Sequence, residues 1–448
     1  MKNYFLQFYL KLDLHLKEII EGASITFVLR SIGFIFTFGF NLMLARILGT
    51  DGAGLFFLSV SIITVASVIA RVGLDNAVLR FAAEATVKND WAALIALSKK
   101  STTICLTASL LLMAAVFAAA PWLAGTIFQK PLLVEPLRWM APAIPALSII
   151  FLHAELLKGL KKIALSQIIQ GTCLPAATFA LCFLLGYQWK LQGIASGYAV
   201  SAVIIAGIAA YSIRQIIRER SSYEGVFSSR KLFRTGFALY HIALMNLIMV
   251  WSATIILGTQ GKVSEIGIFQ IANRTAILIG FFLTSINTIA APKFASLYAR
   301  GDLQALSKTA RQSSALMVLA VTPLLALMII FPGFVLRLFG PDFEAGTLLL
   351  RILCIGQFIN VATGSVGYLL MMTGHERLLR LTITLATIIN LWLCLWLIPK
   401  MGPLGAAIAT AVPLAFMNLL CAYFVYAKLR IVTIPFWPVT MKTRFVKN

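Results

Sequence analysis

Ile256-Leu257-Gly258-Thr259 and, a little further on, Gly267-Ile268-Phe269 repeat an earlier stretch of the same chain. Their counterparts are Ile47-Leu48-Gly49-Thr50 and Gly54-Leu55-Phe56. Such a match between two distant segments is hard to obtain by chance, and self-similarity is the sequence signature of a duplicated unit. We therefore expect the chain to contain two copies of one fold.

The match continues downstream of both copies, and its first step has the same length in each. A step of 27 residues leads from Gly54, and from Gly267, to a phenylalanine followed by small residues. The further matched pairs are Phe81–Ala83 with Phe294–Ser296, Asp90 with Asp302, Leu97–Lys99 with Leu306–Lys308 and, more weakly, Gly193–Ala195 with Gly405–Ala407. The duplication is therefore predicted to extend over both halves of the chain.

The composition is that of an integral membrane protein. Hydrophobic residues make up 60% of the 448 residues and charged residues only 12%, about half the charged share of a typical soluble domain. The apolar runs are each roughly 18 to 25 residues long, enough for a helix to cross about 30 Å of hydrocarbon. They lack the alternation that marks a transmembrane barrel. The predicted fold class is an all-α integral membrane protein.

Twelve transmembrane helices are predicted, as two six-helix bundles related by a parallel repeat around a central cavity. Because six is an even number, both copies enter the membrane from the same side. Parallel repeats of this kind leave a cleft between the halves, and rocking of one half against the other gives alternating access. The predicted spans are 23–47, 54–73, 102–120, 139–157, 166–186, 192–213, 237–257, 266–290, 314–331, 346–372, 381–398 and 403–426.

Three further segments are predicted to lie in the cytoplasm. Residues 1–22 mix lysines with apolar side chains and have no cleavage site, which indicates an amphipathic surface helix and not a signal peptide. A basic linker, 214–236, joins an N-terminal bundle at 23–213 to a C-terminal bundle at 237–426. The basic tail is 427–448.

The net charge of +22 is explained by the side of the membrane on which the cations lie. Most lysines and arginines fall in alternate loops and in both terminal segments, and this bias predicts that both termini are cytoplasmic. Basic loops also attract anionic lipid headgroups. The charge therefore needs no nucleic-acid partner.

One face of the first span carries most of its polar residues. Thr26, Arg30, Gly33, Thr37 and Asn41 follow each other at helical spacing and share one stripe. A cation at this depth is costly unless it faces protein or water, so Arg30 is predicted to point into the cleft. The competing interpretation is that Arg30 extends towards the cytoplasmic headgroups.

Other spans add further polar groups, for which interhelical hydrogen bonding is the competing role. The eighth span has a stripe beginning at Asn273, and the second span has a stripe ending at Arg71. Together these faces favour a hydrophilic cleft. The candidate substrate-binding residues are Arg30, Asn41, Arg71, His241, Asn246, Asn273, Arg274, Gln357 and Asn360. No catalytic residue, metal site or cofactor is predicted.

The acidic residues indicate the charge of the substrate. Of the sixteen Asp and Glu residues, only Glu155 falls within a predicted span. A transporter of cations normally needs carboxylates at the midplane, whereas this chain has cations there. The substrate is therefore predicted to be an anion held by guanidinium groups, whose planar fork suits phosphate oxygens.

Three motifs resemble the bacterial polysaccharide-transporter family, the O-antigen and capsule repeat-unit flippases of the multidrug/oligosaccharidyl-lipid/polysaccharide exporter superfamily. They are Asn41 to Gly49, Gly52 to Phe56, and Gly73 to Phe81. The resemblance covers Gly22 to about Tyr426. It implies a flippase that carries an undecaprenyl-pyrophosphate-linked oligosaccharide to the outer leaflet of the bacterial inner membrane.

By analogy with that family, Arg30 and Arg274 would hold the pyrophosphate. Asn246, Asn273 and Gln357 would contact sugar hydroxyls. The partners implied are the lipid-linked oligosaccharide and membrane lipids, with polysaccharide polymerase and chain-length machinery as candidates. No phosphate-binding loop is present, so nucleotide-independent transport is expected.

Three alternatives stay open. A cation-coupled multidrug exporter of the same superfamily shares the twelve-helix layout but would need midplane carboxylates. A membrane polysaccharide polymerase or ligase would need a larger outer loop than 121–138 or 332–345. A flippase for peptidoglycan precursors would usually have two further helices.

Overall fold

A computed structural model describes residues 14–218, 227 and 229–435. Within these residues the secondary structure is helical, with short π and 3-10 segments between some helices. The helices are α1 Leu14–Ala70, α2 Leu74–Val87, α3 Trp91–Trp122, α4 Val134–Met140, α5 Ala143–Gly159, α6 Ile163–Gln167, α7 Leu174–Arg218, α8 Ser229–Gln260, α9 Val263–Ala299, α10 Leu303–Ile330, α11 Pro332–Arg337, α12 Thr347–Ala362, α13 Val366–Met372, α14 Glu376–Met401 and α15 Pro403–Leu429.

Two of these helices are each long enough for two crossings of a membrane. α1 has 57 residues and α7 has 45, whereas about 20 residues suffice for one crossing. Both contain non-helical backbone: Gly49 in α1 has φ 65°, and Lys190 in α7 has φ 44°. Each break lies between two predicted spans, because a chain that turns back must leave the helical conformation there.

The remaining predicted spans also fall on helices. In the described part of the chain, nine helices are long and apolar enough to cross a membrane, or ten if the bent pair Pro131–Met140 and Ala143–Gly159 is one span. Counting the bent pair as one span, and α1 and α7 as two crossings each, accounts for all twelve predicted spans. The all-helical membrane fold predicted from the sequence is confirmed.

The duplicated sequence gives the same local structure in both copies at the starts of α3 and α10. The Asp90 carboxylate accepts a hydrogen bond from the Ala93 N–H at 2.9 Å, and the Asp302 carboxylate accepts one from the Ala305 N–H at 2.8 Å. The preceding residues, Asn89 and Gly301, both have positive φ. A side-chain cap satisfies one of the N–H groups left unpaired at a helix start.

The weaker sequence match near the end of each half also has a structural basis. Lys190 (φ 44°, ψ −122°) and Gly402 (φ 55°, ψ −128°) adopt the same turn between two spans. Three residues later, Gly193 and Gly405 let the helices pack closely. A Cβ on Gly193 would lie 2.0 Å from the Leu185 carbonyl oxygen, and one on Gly405 would lie 2.5 Å from the Leu397 carbonyl oxygen.

The glycines that identify the repeat meet each other in a nearly symmetric helix crossing. A Cβ on Gly54 would lie 2.0 Å from the carbonyl oxygen of Val263, and one on Gly267 would lie 2.1 Å from that of Thr50. Thr50 lies four residues before Gly54, and Val263 lies four residues before Gly267. The second half of α1 therefore crosses the start of α9 with backbone against backbone, in the manner of small-residue membrane interfaces.

By contacts, the chain forms two compact units, one of Met1–Leu247 with Thr254–Ile268 and one of Ile248–Ala253 with Phe269–Asn448. The helix crossing just described lies within the first unit. In the second unit, Phe294, Leu306, Leu370 and Val425 belong to one buried apolar cluster. The predicted division into 23–213 and 237–426 follows sequence order and stays a prediction.

The predicted cytoplasmic segments fall partly on helices. Helix α1 already includes Leu14, α7 continues to Arg218, and α8 begins at Ser229. Helix α15 ends at Leu429. The rest of these predictions, at 1–13, 219–226, 228 and 436–448, lies outside the described residues.

Candidate functional site

Arg30 lies near the start of the first crossing and is half-buried. Its Nε donates a hydrogen bond to Gln167 Oε1 at 3.3 Å. The two terminal nitrogens of the guanidinium group make no hydrogen bond among the described residues. Because a guanidinium group carries five N–H donors, Arg30 keeps most of its capacity to bind an oxyanion.

A π-helical segment, Ile168–Cys173, positions Gln167 beside Arg30. The Thr172 hydroxyl donates to the Leu29 carbonyl oxygen at 2.9 Å, and a Cβ on Gly33 would lie 1.6 Å from the Gly171 carbonyl oxygen. The wide π turn thus packs closely against the face of α1 that carries Arg30. π-bulges occur frequently at functional sites. The sequence analysis missed Gln167, although a glutamine within an apolar run was a signal for it.

Asn41 lies on the same stripe of α1, further along the crossing. Its side chain is buried, at 5% exposure, and its Oδ1 has no hydrogen-bond partner. A buried amide oxygen without a partner is unfavourable by roughly 1–3 kcal/mol, so this atom is an unused acceptor. It could accept a hydrogen bond from a hydroxyl group.

Arg71 lies at the end of the second crossing and is paired. Its Nε lies 3.3 Å from Asp75 Oδ2, and its guanidinium carbon lies 4.8 Å from the centre of the Phe151 ring. Asp75 was not among the candidates, although the spacing of four residues between Arg71 and Asp75 is that of a helical ion pair. This pairing distinguishes Arg71 from Arg30.

In the second compact unit, a second polar group forms around Gln357. Asn360 Nδ2 donates to Gln357 Oε1 at 3.3 Å, and that oxygen would lie 3.0 Å from a Cβ on Gly280. Gly280 lies two turns after Asn273 on α9, so Gln357 faces the stripe of α9 that contains Asn273. Asn273 and Arg274 are both half-buried.

Other polar residues of the spans bond to neighbouring helices, as the competing interpretation expected. The Ser365 hydroxyl donates to Asn287 Oδ1, and the Ser252 hydroxyl donates to Asn390 Oδ1 at 2.6 Å. Such bonds hold membrane helices together. They leave these residues little capacity for a ligand.

His241 and Asn246 of α8 are exposed. Asn246 Nδ2 donates to the Ile242 carbonyl oxygen of its own helix at 3.0 Å. The hydrogen bonds found for the described residues do not join Asn246 to the groups around Arg30 or Gln357. The roles predicted for these two residues stay predictions.

The group around Arg30 and the group around Gln357 both contain N–H donors and amide side chains. Glu155, the one acidic residue predicted within a span, is paired with Lys158 at 2.6 Å. Among the described residues, no three His, Cys, Asp or Glu side chains come together as a metal site requires. The group around Arg30 can bind phosphate oxygens, and the group around Gln357 can bind sugar hydroxyls.

Comparison with known sequences identifies the family of this chain. The profile of the polysaccharide biosynthesis protein family matches residues 19–298, which is more than half of the sequence. The chain belongs to this family. The profile of a second family, MatE, matches residues 241–396. Membership in the polysaccharide biosynthesis family confirms the resemblance inferred from the sequence motifs.

Two known proteins are similar in sequence to this family member. A Shigella flexneri protein assigned as an O-antigen transporter is 21% identical over 387 residues, which cover 82% of this chain and 88% of that protein. An uncharacterized membrane protein of Methanocaldococcus jannaschii is 27% identical over 221 residues, which cover 48% of this chain and 43% of that protein.

Solved structures share the fold of this family member. The inward closed conformation of the lipid II flippase MurJ has a TM-score of 0.72 at 14% identity, covering 91% of this chain and 87% of that one. The inward-facing conformation of a multidrug resistance MATE family transporter of the MOP superfamily has a TM-score of 0.70 at 14% identity, covering 91% and 98%. These similarities show that the chain has the same fold as these two proteins.

Proposed function

We propose that this chain is a flippase that moves a polyprenyl-pyrophosphate-linked oligosaccharide from the inner to the outer leaflet of the bacterial inner membrane. The observation that carries the proposal is the half-buried guanidinium of Arg30, which is bonded only through Nε among the described residues. Family membership and the O-antigen transporter relative support a lipid-linked glycan as the cargo.

The charges of the site agree with an anionic head group. An arginine binds phosphate through two parallel N–H bonds, which a lysine cannot reproduce. Asn41 adds an amide group that can pair with sugar hydroxyls, and in the second unit Gln357 and Asn360 offer amide groups of the same kind. Moving a dianion outward across an inside-negative membrane is favourable by roughly 4 to 5 kcal/mol at 100 mV, because each charge contributes about 2.3 kcal/mol.

The test uses purified protein in liposomes that contain a fluorescent polyprenyl-pyrophosphate oligosaccharide. Transport is measured as the fraction of cargo that an impermeant quencher reaches over time. Arg30→Ala is expected to slow transport roughly ten- to hundredfold, because a hydrogen bond to a charged group contributes about 1.5–3 kcal/mol. Arg30→Lys should fall between this variant and the unaltered protein.

The matched control is Arg80→Ala, which removes an exposed arginine that pairs with Glu84 at 3.0 Å on the protein surface. Such pairs contribute little, so its transport rate should be unchanged. Equal rates for Arg30→Ala and Arg80→Ala would refute the role of Arg30. Absence of cargo movement by the unaltered protein, in either membrane orientation, would refute the flippase.

The second candidate is a multidrug exporter, favoured by the MatE profile match at residues 241–396. Cells that express the protein would then resist lipophilic cations, and their surface glycan would not depend on the gene. The flippase predicts the reverse: loss of surface glycan on deletion and unchanged drug sensitivity.

A further inference from the structure

Arg351 is a cation of the second unit that the proposed function does not use. It lies in the second turn of α12 and is exposed. Its Nε donates a hydrogen bond to the Ile329 carbonyl oxygen at 3.1 Å. Ile329 is the second-last residue of α10, and the last four carbonyls of a helix have no partner within it. The bond therefore holds the Arg351 side chain against the end of α10.

The surface around Arg351 is apolar. Leu348 and Ile355 lie one turn before and one turn after Arg351 on the same face of α12, and each is more than half exposed. Ile330, the residue after the bonded carbonyl, and Phe334 of α11 are also more than half exposed. Exposed apolar side chains on helices that are long and apolar enough to cross a membrane face the lipid. Arg351 is therefore a cation on a lipid-facing surface.

No carboxylate of the described residues neutralises Arg351. It belongs to none of the ion pairs found there, and its two terminal nitrogens make no hydrogen bond within the same part of the chain. The nearby Arg337 is different, because its Nε and Nη2 donate to the two carboxylate oxygens of Glu344 at 2.6 Å and 2.9 Å. A cation beside acyl chains is costly unless an anion or water meets it. Arg351 lacks the anion that the chain supplies to Arg337.

The predicted topology places Arg351 near the lipid headgroups of the outer leaflet. The loop 332–345 is predicted to lie on the outer side, and α12 starts at Thr347. Arg351 is four residues further on, which is about 6 Å along a helix. A long cationic side chain at this depth reaches the headgroup region. Two parallel N–H groups of a guanidinium fit the oxygens of a phosphate.

We propose that Arg351 and the exposed apolar side chains around it form a binding site for an anionic phospholipid of the outer leaflet. The guanidinium nitrogens that are not bonded to Ile329 hold the lipid phosphate. The acyl chains lie along the face of α12 that contains Leu348 and Ile355. An anionic headgroup is preferred, because a zwitterionic one carries its own cation beside the phosphate. The site does not rest on the proposed function, whose residues are grouped around Arg30 and Gln357.

Retention of lipid by the full-length protein in detergent gives the first test. Native mass spectrometry with added phosphatidylglycerol should detect a bound lipid on the unaltered protein. Arg351→Ala should weaken this binding roughly ten- to hundredfold, as expected for the loss of hydrogen bonds to a charged group. The matched control is the double variant Arg337→Gln with Glu344→Gln, which removes the neighbouring arginine without changing the net charge. It should retain the lipid as the unaltered protein does.

Thermal unfolding separates lipid binding from a purely structural role of Arg351. A ligand that binds only the folded state raises the unfolding midpoint, so phosphatidylglycerol should raise it more than phosphatidylcholine does. Arg351→Gln keeps an N–H group that can donate to the Ile329 carbonyl, but it has no charge. Its midpoint without lipid should therefore stay close to that of the unaltered protein, while the increment from phosphatidylglycerol is lost. If Arg351 only closed the end of α10, the increment would be retained.

Four results would overturn the proposal. Equal retention of phosphatidylglycerol by Arg351→Ala and the unaltered protein would refute the site, and an equal increment from phosphatidylcholine would refute the preference for an anionic lipid. The same increment from inorganic phosphate would indicate a site for free anions. Displacement of phosphatidylglycerol by an equal concentration of polyprenyl pyrophosphate would make the cargo carrier the occupant. Should Arg351→Ala not fold, Arg351→Lys must weaken lipid retention, because lysine lacks the planar fork.

Discussion

At the scale of single residues, two matched side chains of the repeat copies have the same structural role, which is to cap a helix. Asp90 and Asp302 each cap a long helix through an N–H three residues later. A cap depends only on local backbone geometry, so it survives duplication even where the surrounding packing has changed. Arg30 and Arg71 differ in the origin of their partners: Gln167 lies 137 residues from Arg30 along the chain, whereas Asp75 is only four residues from Arg71.

The caps give a prediction of stability. Asp302→Ala should lower the free energy of unfolding by about 1 kcal/mol, the usual effect of losing a side-chain cap. Asp302→Asn, which can still accept the hydrogen bond, should have a smaller effect. Thermal unfolding in detergent measures the difference, and equal midpoints for the two variants would show that the cap does not contribute.

At the scale of helices, glycine decides where two segments pack backbone against backbone. Gly54 and Gly267 have no space for a Cβ, whereas Gly207 in α7 has no atom within 4 Å of that position. Membrane helices associate through close approach and van der Waals packing, because in apolar lipid there is no hydrophobic driving force for helix association. A single methyl group at the crossing therefore forces the helices apart.

The crossing gives a second prediction of stability. Gly54→Ala and Gly267→Ala should each destabilise the fold by roughly 1–3 kcal/mol, the usual effect of overpacking. Gly207→Ala should be neutral or stabilising by up to about 1 kcal/mol, since alanine favours helix. Because both sites belong to one crossing, the double variant should lose less than the sum of the single losses. Additive losses would indicate two independent contacts.

At the scale of the whole molecule, the positions of lysine and arginine predict the orientation in the membrane. Basic residues concentrate in alternate loops and at both ends of the sequence, and such loops stay in the cytoplasm. Lys88, beyond the end of α2, and Gln188, before the break in α7, are both exposed and are predicted to lie on opposite sides. The direction of the proposed cargo movement depends on this orientation.

Single cysteines test the orientation, in a protein whose six native cysteines are replaced by alanine. In intact inner-membrane preparations of known sidedness, Gln188→Cys should react with an impermeant maleimide added from the outer side. Lys88→Cys should react only after the membrane is made permeable. The reverse pattern would invert the predicted topology and, with it, the direction of the proposed cargo movement.

The sequence by itself determined the membrane class, the twelve crossings and the duplication, because hydrophobic length, charge bias and spacing are properties of the chain read in order. It also identified Arg30 and Arg71 as unusual, since a cation in an apolar run is visible without coordinates. Tertiary structure alone decided that Arg30 meets Gln167 beside a π turn and that Arg71 is buried against the Phe151 ring. It also decided that the repeat glycines meet each other. The partner, the burial and the available space of a side chain depend on helices far apart in sequence, and they exist only once those helices pack.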